Sequence, residues 1–159
     1  MNFKLGKRSI ERLDGVDERM VEVVKLAINF TKQDFTVLEG VRTKERQAEL
    51  VARGASRTMN SKHIGGFAVD LGAYDSVTGI RWEEACYNPI ADAMKKAAKE
   101  LKTPMCWGGA WATHRGEYPF DFCIWNETME KANKQYHQLR KSQDRQGFND
   151  MPHFELIEI

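Results

Sequence analysis

The chain has 159 residues, with 24 basic and 23 acidic side chains and a formal net charge of +1. This balance argues against a nucleic-acid or membrane-surface partner, since both favour a basic protein surface. With 42% hydrophobic and 30% charged residues, the composition is that of an ordinary soluble globular protein, and the length fits one domain with a substantial core.

The sequence shows no sign of membrane insertion or export. No apolar run reaches the roughly 18 residues of a membrane helix, and no apolar stretch follows the basic segment Met1–Arg8. We therefore expect no integral membrane segment and no signal peptide. Cys86, Cys106 and Cys123 are odd in number and widely spaced, which fits a reducing compartment better than a disulfide framework.

The first half of the chain predicts helices around one strand. Ser9 is expected to cap a short helical turn. Asp17 is expected to cap a stronger helix that runs to about Lys32, because apolar residues recur there at helical spacing. Phe35–Gly40 has the composition of a strand closed by glycine, and Thr43 is expected to cap the short helix that follows.

The second half predicts an alternation of short strands and two longer helices. The expected elements are a hairpin strand at Ile80–Trp82, a helix from about Glu83 or Asn88 to Leu101, a strand within Pro104–Trp111 that runs into a glycine bend, a strand at Phe120–Trp125, a helix at Asn126–Lys141 and a terminal strand at Phe154–Ile159.

The stretch SKHIGGFAVD carries the clearest chemical signal. Gly65 and Gly66 permit a tight turn after His63, and the alternation that follows predicts a strand. The turn can therefore fold His63 back over Asp70. With His153 near the end of the chain, these residues would form a shell of two histidines and one carboxylate with an open position, as catalytic zinc requires.

These residues also carry a family resemblance. The pattern S-x-H-x-x-G-x-A-x-D from Ser61 to Asp70, followed by D-x-x-H from Asp150 to His153, resembles the zinc peptidases that act on bacterial cell-wall peptides. That group contains D-alanyl-D-alanine carboxypeptidases and dipeptidases, and the L-alanyl-D-glutamate peptidases used as phage endolysins. The endolysin branch is the most similar. The resemblance implies zinc as the cofactor.

The resemblance also implies a role for each matching residue. Asp150 would be the general base that takes a proton from the attacking water and delivers it to the leaving amine. Arg42 would hold a substrate carboxylate or stabilise developing charge, accompanied by Gln47. Ser61 would face the substrate, and Trp107 would line the cleft.

We predict a single α+β domain, residues 1–159, with helices packed on a small, mainly antiparallel sheet like that of hedgehog-type domains and D-alanyl-D-alanine peptidases. An inserted helical segment, at about 112–149, lies ahead of Asp150. Ala110 stands where endolysin relatives often carry Asp, so one polar partner of the site is expected to be missing. No separate cell-wall-binding domain is expected.

The predicted function is zinc-dependent hydrolysis of the L-alanyl-D-glutamate bond in the peptidoglycan stem peptide, which leads to host cell lysis. The protein is expected to be a monomer that stays in the host cytoplasm until it is released to the wall. Two alternatives remain open at this point. One is a D-alanyl-D-alanine carboxypeptidase or dipeptidase, and the other is a non-catalytic zinc-binding module on the same fold.

Overall fold

The computed structural model describes residues 2–56, 59, 61–112 and 120–157. Five helices pack on an antiparallel sheet of five strands in these residues, so the chain folds as the predicted single α+β domain. The elements are α1 Lys7–Arg12, α2 Glu18–Phe30, β1 Phe35–Glu39, α3 Lys44–Ala52, β2 Ala68–Asp75, β3 Gly79–Arg81, α4 Glu84–Leu101, β4 Met105–Trp107, α5 Met129–Ser142 and β5 His153–Leu156.

Strand β2 organises the sheet. It pairs with β1, β3 and β5, and β4 extends the sheet from β5, with every pair antiparallel. In this register Asp70 lies opposite His153 of β5 and opposite Glu39 of β1. The central strand therefore brings the early and late parts of the chain to one place.

The two faces of β2 have different environments because successive side chains point to opposite faces of a strand. Val69 and Leu71 are fully buried in the hydrophobic core, whereas Asp70 points away from it and remains partly exposed. Helices α2 and α4 pack against each other and supply much of the core. The stripe predicted for α2 is confirmed, with Met20, Val23, Val24, Ala27 and Ile28 buried.

Two of the predicted helix caps are confirmed. The Asp17 side chain accepts a hydrogen bond from the Arg19 backbone N–H at 2.9 Å, and the Thr43 hydroxyl accepts one from the Arg46 N–H at 3.1 Å. Each cap satisfies a backbone donor that has no partner inside its helix. Among the described residues, no helix combines the length and apolar composition needed to cross a bilayer.

The predicted role of Ser9 as a helix cap is wrong. Ser9 lies inside α1 and is buried. Its hydroxyl bonds to the Thr36 hydroxyl at 2.9 Å and accepts from the Val37 backbone N–H at 2.9 Å. A tertiary contact between α1 and β1 has replaced the local one.

The predicted strand at Phe120–Trp125 is also wrong, since these residues form turns. The Asp121 carboxylate accepts the backbone N–H of Cys123 at 2.7 Å, a local bond typical of a turn. The alternation of apolar residues there reflects burial of Phe120 and Phe122 without strand pairing.

Helix α5 lies within the segment at about 112–149, of which residues 113–119 lie outside the described part of the chain. It packs on α4, and its Asn133 donates to the Gly109 carbonyl at 2.6 Å. The Tyr136 hydroxyl accepts from the Phe148 N–H at 3.3 Å. The helix therefore braces both the glycine bend after β4 and the segment that leads to Asp150.

The close approach of Gly108 to Asp150 gives a test of this packing. A Cβ at Gly108 would lie 2.1 Å from the Asp150 carbonyl oxygen, whereas a Cβ at Gly6 would meet nothing within 4 Å. We expect Gly108→Ala to destabilise the protein by about 1–3 kcal/mol, as overpacking does, and Gly6→Ala to change stability much less. Thermal unfolding of the two variants measures the difference, and equal midpoints would contradict the packing described here.

Candidate metal centre and active site

Three side chains of types that commonly bind metals converge near the first residues of β2. His63 Nε2, His153 Nδ1 and Asp70 Oδ1 lie 3.2 Å from one another on all three sides of a triangle. Among the described residues, His63, Asp70 and His153 form a group able to hold a metal ion. Both histidines are buried, with 1% and 7% of their surfaces exposed.

The outer ring nitrogens of the two histidines have their own partners. His63 Nδ1 lies 2.8 Å from the Gly40 carbonyl oxygen, and His153 Nε2 lies 2.8 Å from Glu155 Oε1. Each outer nitrogen is 2.8 Å from its oxygen acceptor, nearer than the 3.2 Å between the inner nitrogens and Asp70, so the outer nitrogen carries the proton of neutral imidazole and the inner nitrogen offers its lone pair. In the neutral form both rings therefore turn a lone pair towards Asp70.

The spacing of these atoms fits zinc. Zinc binds nitrogen and oxygen ligands at about 2.0–2.2 Å in tetrahedral geometry, which separates the ligand atoms by about 3.3 Å. The observed separations are 3.2 Å. Three protein ligands would leave one position of a tetrahedral zinc ion for water or substrate.

The close contacts also change the acidity of the group. Burial by itself raises the pKa of Asp70, but its hydrogen bonds to His153 and His63 outweigh burial and hold the pKa well below its usual range. Burial by itself lowers the pKa of His153, yet its hydrogen bonds to Asp70 and Glu155 raise it to about 10. The group therefore stabilises positive charge at its centre.

A cavity of about 420 Å³ opens beside this triangle. The residues that line it are Glu39, Arg42, Leu50, Ala55, Ser56, Ser61, Lys62, His63, Asp70, Trp111, Phe148, Asp150, His153 and Glu155. Most of these residues are polar or charged, and Trp111, Phe148, Leu50 and Ala55 add apolar surface, so the cavity suits a peptide-like ligand.

Asp150, the residue predicted to be the general base, lines this cavity. Its backbone is fixed on both sides, because its N–H donates to the Gly108 carbonyl at 2.8 Å and its carbonyl accepts from the His153 N–H at 3.1 Å. Burial raises the pKa of the Asp150 carboxyl. No described side chain hydrogen-bonds this carboxylate, which leaves its oxygens available to accept a proton.

Arg42 reaches the site, but its guanidinium is fully engaged. Nε and Nη2 grip Glu39 at 2.8 and 2.7 Å, and Nη2 also contacts Asp70 Oδ2 at 3.4 Å. Nη1 donates to Gln47 at 2.7 Å and to Ser61 at 3.5 Å. Because a guanidinium has five N–H donors, these contacts use all of them.

Gln47 and Ser61 occupy different positions relative to the cavity. Gln47 is fully buried between Arg42 and the Ser56 hydroxyl, so it contacts the arginine and does not line the cavity. Ser61 does line the cavity, and its hydroxyl accepts from the His63 backbone N–H at 3.2 Å.

The structure places Trp107 in the core instead of at the cleft wall. Its side chain is fully buried, its indole N–H donates to the Met151 carbonyl, and it does not line the cavity. Trp111 takes the wall position. It stacks on Phe148 at 6.2 Å between ring centroids and lies 5.3 Å from the His153 ring.

Sequence reasoning missed Trp111, Phe148, Glu39, Lys62 and Glu155 as parts of this site. For two of these residues, a sequence pattern could have indicated their place in the site. Glu155 follows His153 by two residues in an alternating segment, so a strand places both side chains on one face. Lys62 sits between two motif residues. No sequence pattern indicates the aromatic wall of Trp111 and Phe148, since their position depends on how the bend after β4 folds.

Comparisons with known proteins agree with this geometry. A family model described as phage L-alanyl-D-glutamate peptidase matches residues 1–157. The L-alanyl-D-glutamate peptidase of Escherichia phage T5 is 33% identical over 116 residues, which cover 70% of this chain and 83% of the relative.

A solved structure agrees as well. The crystal structure of the Serratia marcescens L-Ala D-Glu endopeptidase ChiX matches with a TM-score of 0.68 and 31% identity, over 98% of this chain and 90% of that one. The chain therefore belongs to the phage L-alanyl-D-glutamate peptidase family.

Proposed function

We propose that the protein is a zinc-dependent endolysin that hydrolyses the L-alanyl-D-glutamate bond of the peptidoglycan stem peptide. The observation that carries the proposal is the triangle of His63, Asp70 and His153 beside Asp150 at one polar cavity. The named activities of the T5 and Serratia relatives support the choice of bond.

His63 Nε2, His153 Nδ1 and Asp70 Oδ1 would hold the metal, since their spacing of 3.2 Å suits a tetrahedral ion. When bound, zinc supplies a Lewis acid that activates water and polarises a carbonyl. The bound stem peptide would lie along the cavity, with its scissile bond between this triangle and Asp150.

Asp150 acts as the general base and then as the general acid. Its carboxylate takes the proton of the attacking water and gives it to the leaving amine of D-glutamate, so atoms and charge balance over the cycle. Burial raises the pKa of Asp150, which makes the carboxylate a better proton acceptor than an exposed aspartate.

In this mechanism Arg42 mainly holds neighbouring side chains in position. Its contacts with Asp70 and Ser61 are long, 3.4 and 3.5 Å, whereas those with Glu39 and Gln47 are short. A substrate oxygen can replace a long contact at little cost, because a hydrogen bond weakens as it lengthens. Arg42 can thus steady Asp70 in the resting site and stabilise charge during turnover.

Trp111 and Phe148 would form an apolar wall for the substrate, and Ser61 a polar contact with it. Cleavage of the stem peptide would weaken the cell wall and lyse the host once the enzyme reaches it. We propose that the enzyme waits in the host cytoplasm until then and acts as a monomer.

Mass spectrometry of digested peptidoglycan tests the bond. We expect new amino groups on D-glutamate and wall fragments that end at L-alanine. Release of free D-alanine without those ends would favour a D-alanyl-D-alanine carboxypeptidase, and zinc binding without any cleavage would favour a non-catalytic module. Either result would overturn the proposal.

Replacing the proposed ligands tests the metal. We expect His63→Ala, Asp70→Ala and His153→Ala each to lose bound zinc and lytic activity together, because each removes one of three protein ligands. His137→Ala is the control, since His137 lies on α5 and does not line the cavity. Zinc content and turbidity clearing of cell walls are measured on the same samples, with a chelator added to the wild type. A stoichiometric zinc ion in His63→Ala would refute the assignment.

Replacing Asp150 separates the base from the ligands. Asp150→Asn is nearly isosteric, so we expect it to keep zinc and to lose roughly the 10²–10⁴-fold in turnover that a general base contributes. Asp144→Asn is the matched control, because Asp144 is exposed and its left-handed backbone, φ 56°, tolerates asparagine. Near-normal turnover of Asp150→Asn would mean that the base lies elsewhere.

A further inference from the structure

Glu155 connects the metal centre to a lysine at the edge of the cavity. His153 and Glu155 are two residues apart on β5, so both side chains lie on the same face of the sheet. Glu155 Oε1 lies 2.8 Å from His153 Nε2, and Glu155 Oε2 lies 3.3 Å from Lys62 Nζ. Lys62 also donates to the Leu156 carbonyl.

The outer nitrogens of the two histidines in the triangle therefore bond to different kinds of group. His63 Nδ1 hydrogen-bonds to the backbone carbonyl of Gly40, whose position is set by the fold. His153 Nε2 instead contacts the Glu155 carboxylate, which belongs to a side chain that can rotate. Lys62 removes much of that freedom, because its ammonium group holds the second oxygen of Glu155 and also donates to the Leu156 carbonyl of β5. Lys62 itself lies in the turn that contains His63.

We propose that Glu155 is a positioning residue of the metal centre, with Lys62 as its anchor. The carboxylate fixes the rotation of the His153 ring so that Nδ1 points at Asp70 and His63, and its negative charge makes that nitrogen a stronger electron donor. A ring flipped about its Cβ–Cγ bond would present the carbon Cδ2, not the nitrogen Nδ1, at the third corner of the triangle.

This inference rests on the proposed function, since it concerns how strongly the chain holds zinc. An ordinary surface ion pair is the alternative. Glu49 on α3 offers a matched example of one, because it pairs with Arg46 at 3.3 Å and both side chains are about half exposed or more, 66% and 47%. The Glu155 side chain is only 18% exposed.

The experiment compares Glu155→Ala, Glu155→Gln and Glu49→Ala in the whole protein. Zinc affinity is measured by competition with a chromophoric chelator, and the visible spectrum of bound cobalt(II) reports the ligand geometry. We expect Glu155→Ala to weaken zinc binding by about 10–100-fold and to change the cobalt spectrum. Glu155→Gln keeps an acceptor without the charge, so it should lie between Glu155→Ala and the wild type, while Glu49→Ala should match the wild type.

Thermal unfolding of the zinc-free proteins separates positioning from folding, because a positioning role leaves the zinc-free midpoint of Glu155→Gln near that of the wild type. Zinc affinity within about threefold of the wild type in both Glu155 variants, with an unchanged cobalt spectrum, would overturn the inference and leave the proposed function standing. A wild-type protein that binds no zinc would overturn the proposed function and this inference with it.

Discussion

The structure depends on one cross-strand pair, Asp70 of β2 opposite His153 of β5. Backbone pairing of two antiparallel strands holds these residues at a fixed distance, and the apolar residues on the other face of β2 anchor that strand in the core. The turn that contains His63 then brings the third atom, His63 Nε2, to 3.2 Å from Asp70 Oδ1 and from His153 Nδ1. Three acceptor atoms this close repel one another unless a proton or a metal ion lies between them. The stability of the sheet therefore maintains an arrangement that a cation makes favourable.

Each side chain of the triangle has a different outer partner. Gly40 supports His63 through its carbonyl, Arg42 contacts Asp70, and Glu155 contacts His153. These partners belong to two distant parts of the chain, since Gly40 and Arg42 lie between β1 and α3 whereas Glu155 lies on β5, so the orientation of the triangle depends on how these two parts pack together. Helix α5 contributes to the same end, since it bonds to the bend after β4 and steadies the segment before Asp150. This helix does not line the cavity.

Much of this arrangement could be predicted from the sequence, and what could not has a physical reason. Local periodicity and capping located the helices, and the glycine turn ahead of a strand placed His63 near Asp70. Nothing local joins His153 to them; only the family pattern did. The tryptophans show the limit most clearly, because Trp107 and Trp111 flank the same glycine bend and only the folded bend decides which ring enters the core. The full use of the N–H donors of Arg42 likewise depends on Glu39, which the strand pairing places opposite Asp70.

The most direct test of this account is a crystal structure of the zinc-loaded protein with anomalous data collected at the zinc edge. We expect one strong anomalous peak inside the triangle, about 2.0–2.2 Å from His63 Nε2, His153 Nδ1 and an Asp70 oxygen, with a fourth position open to the cavity. A zinc ion bound elsewhere, or bound through Nε2 of His153, would contradict it.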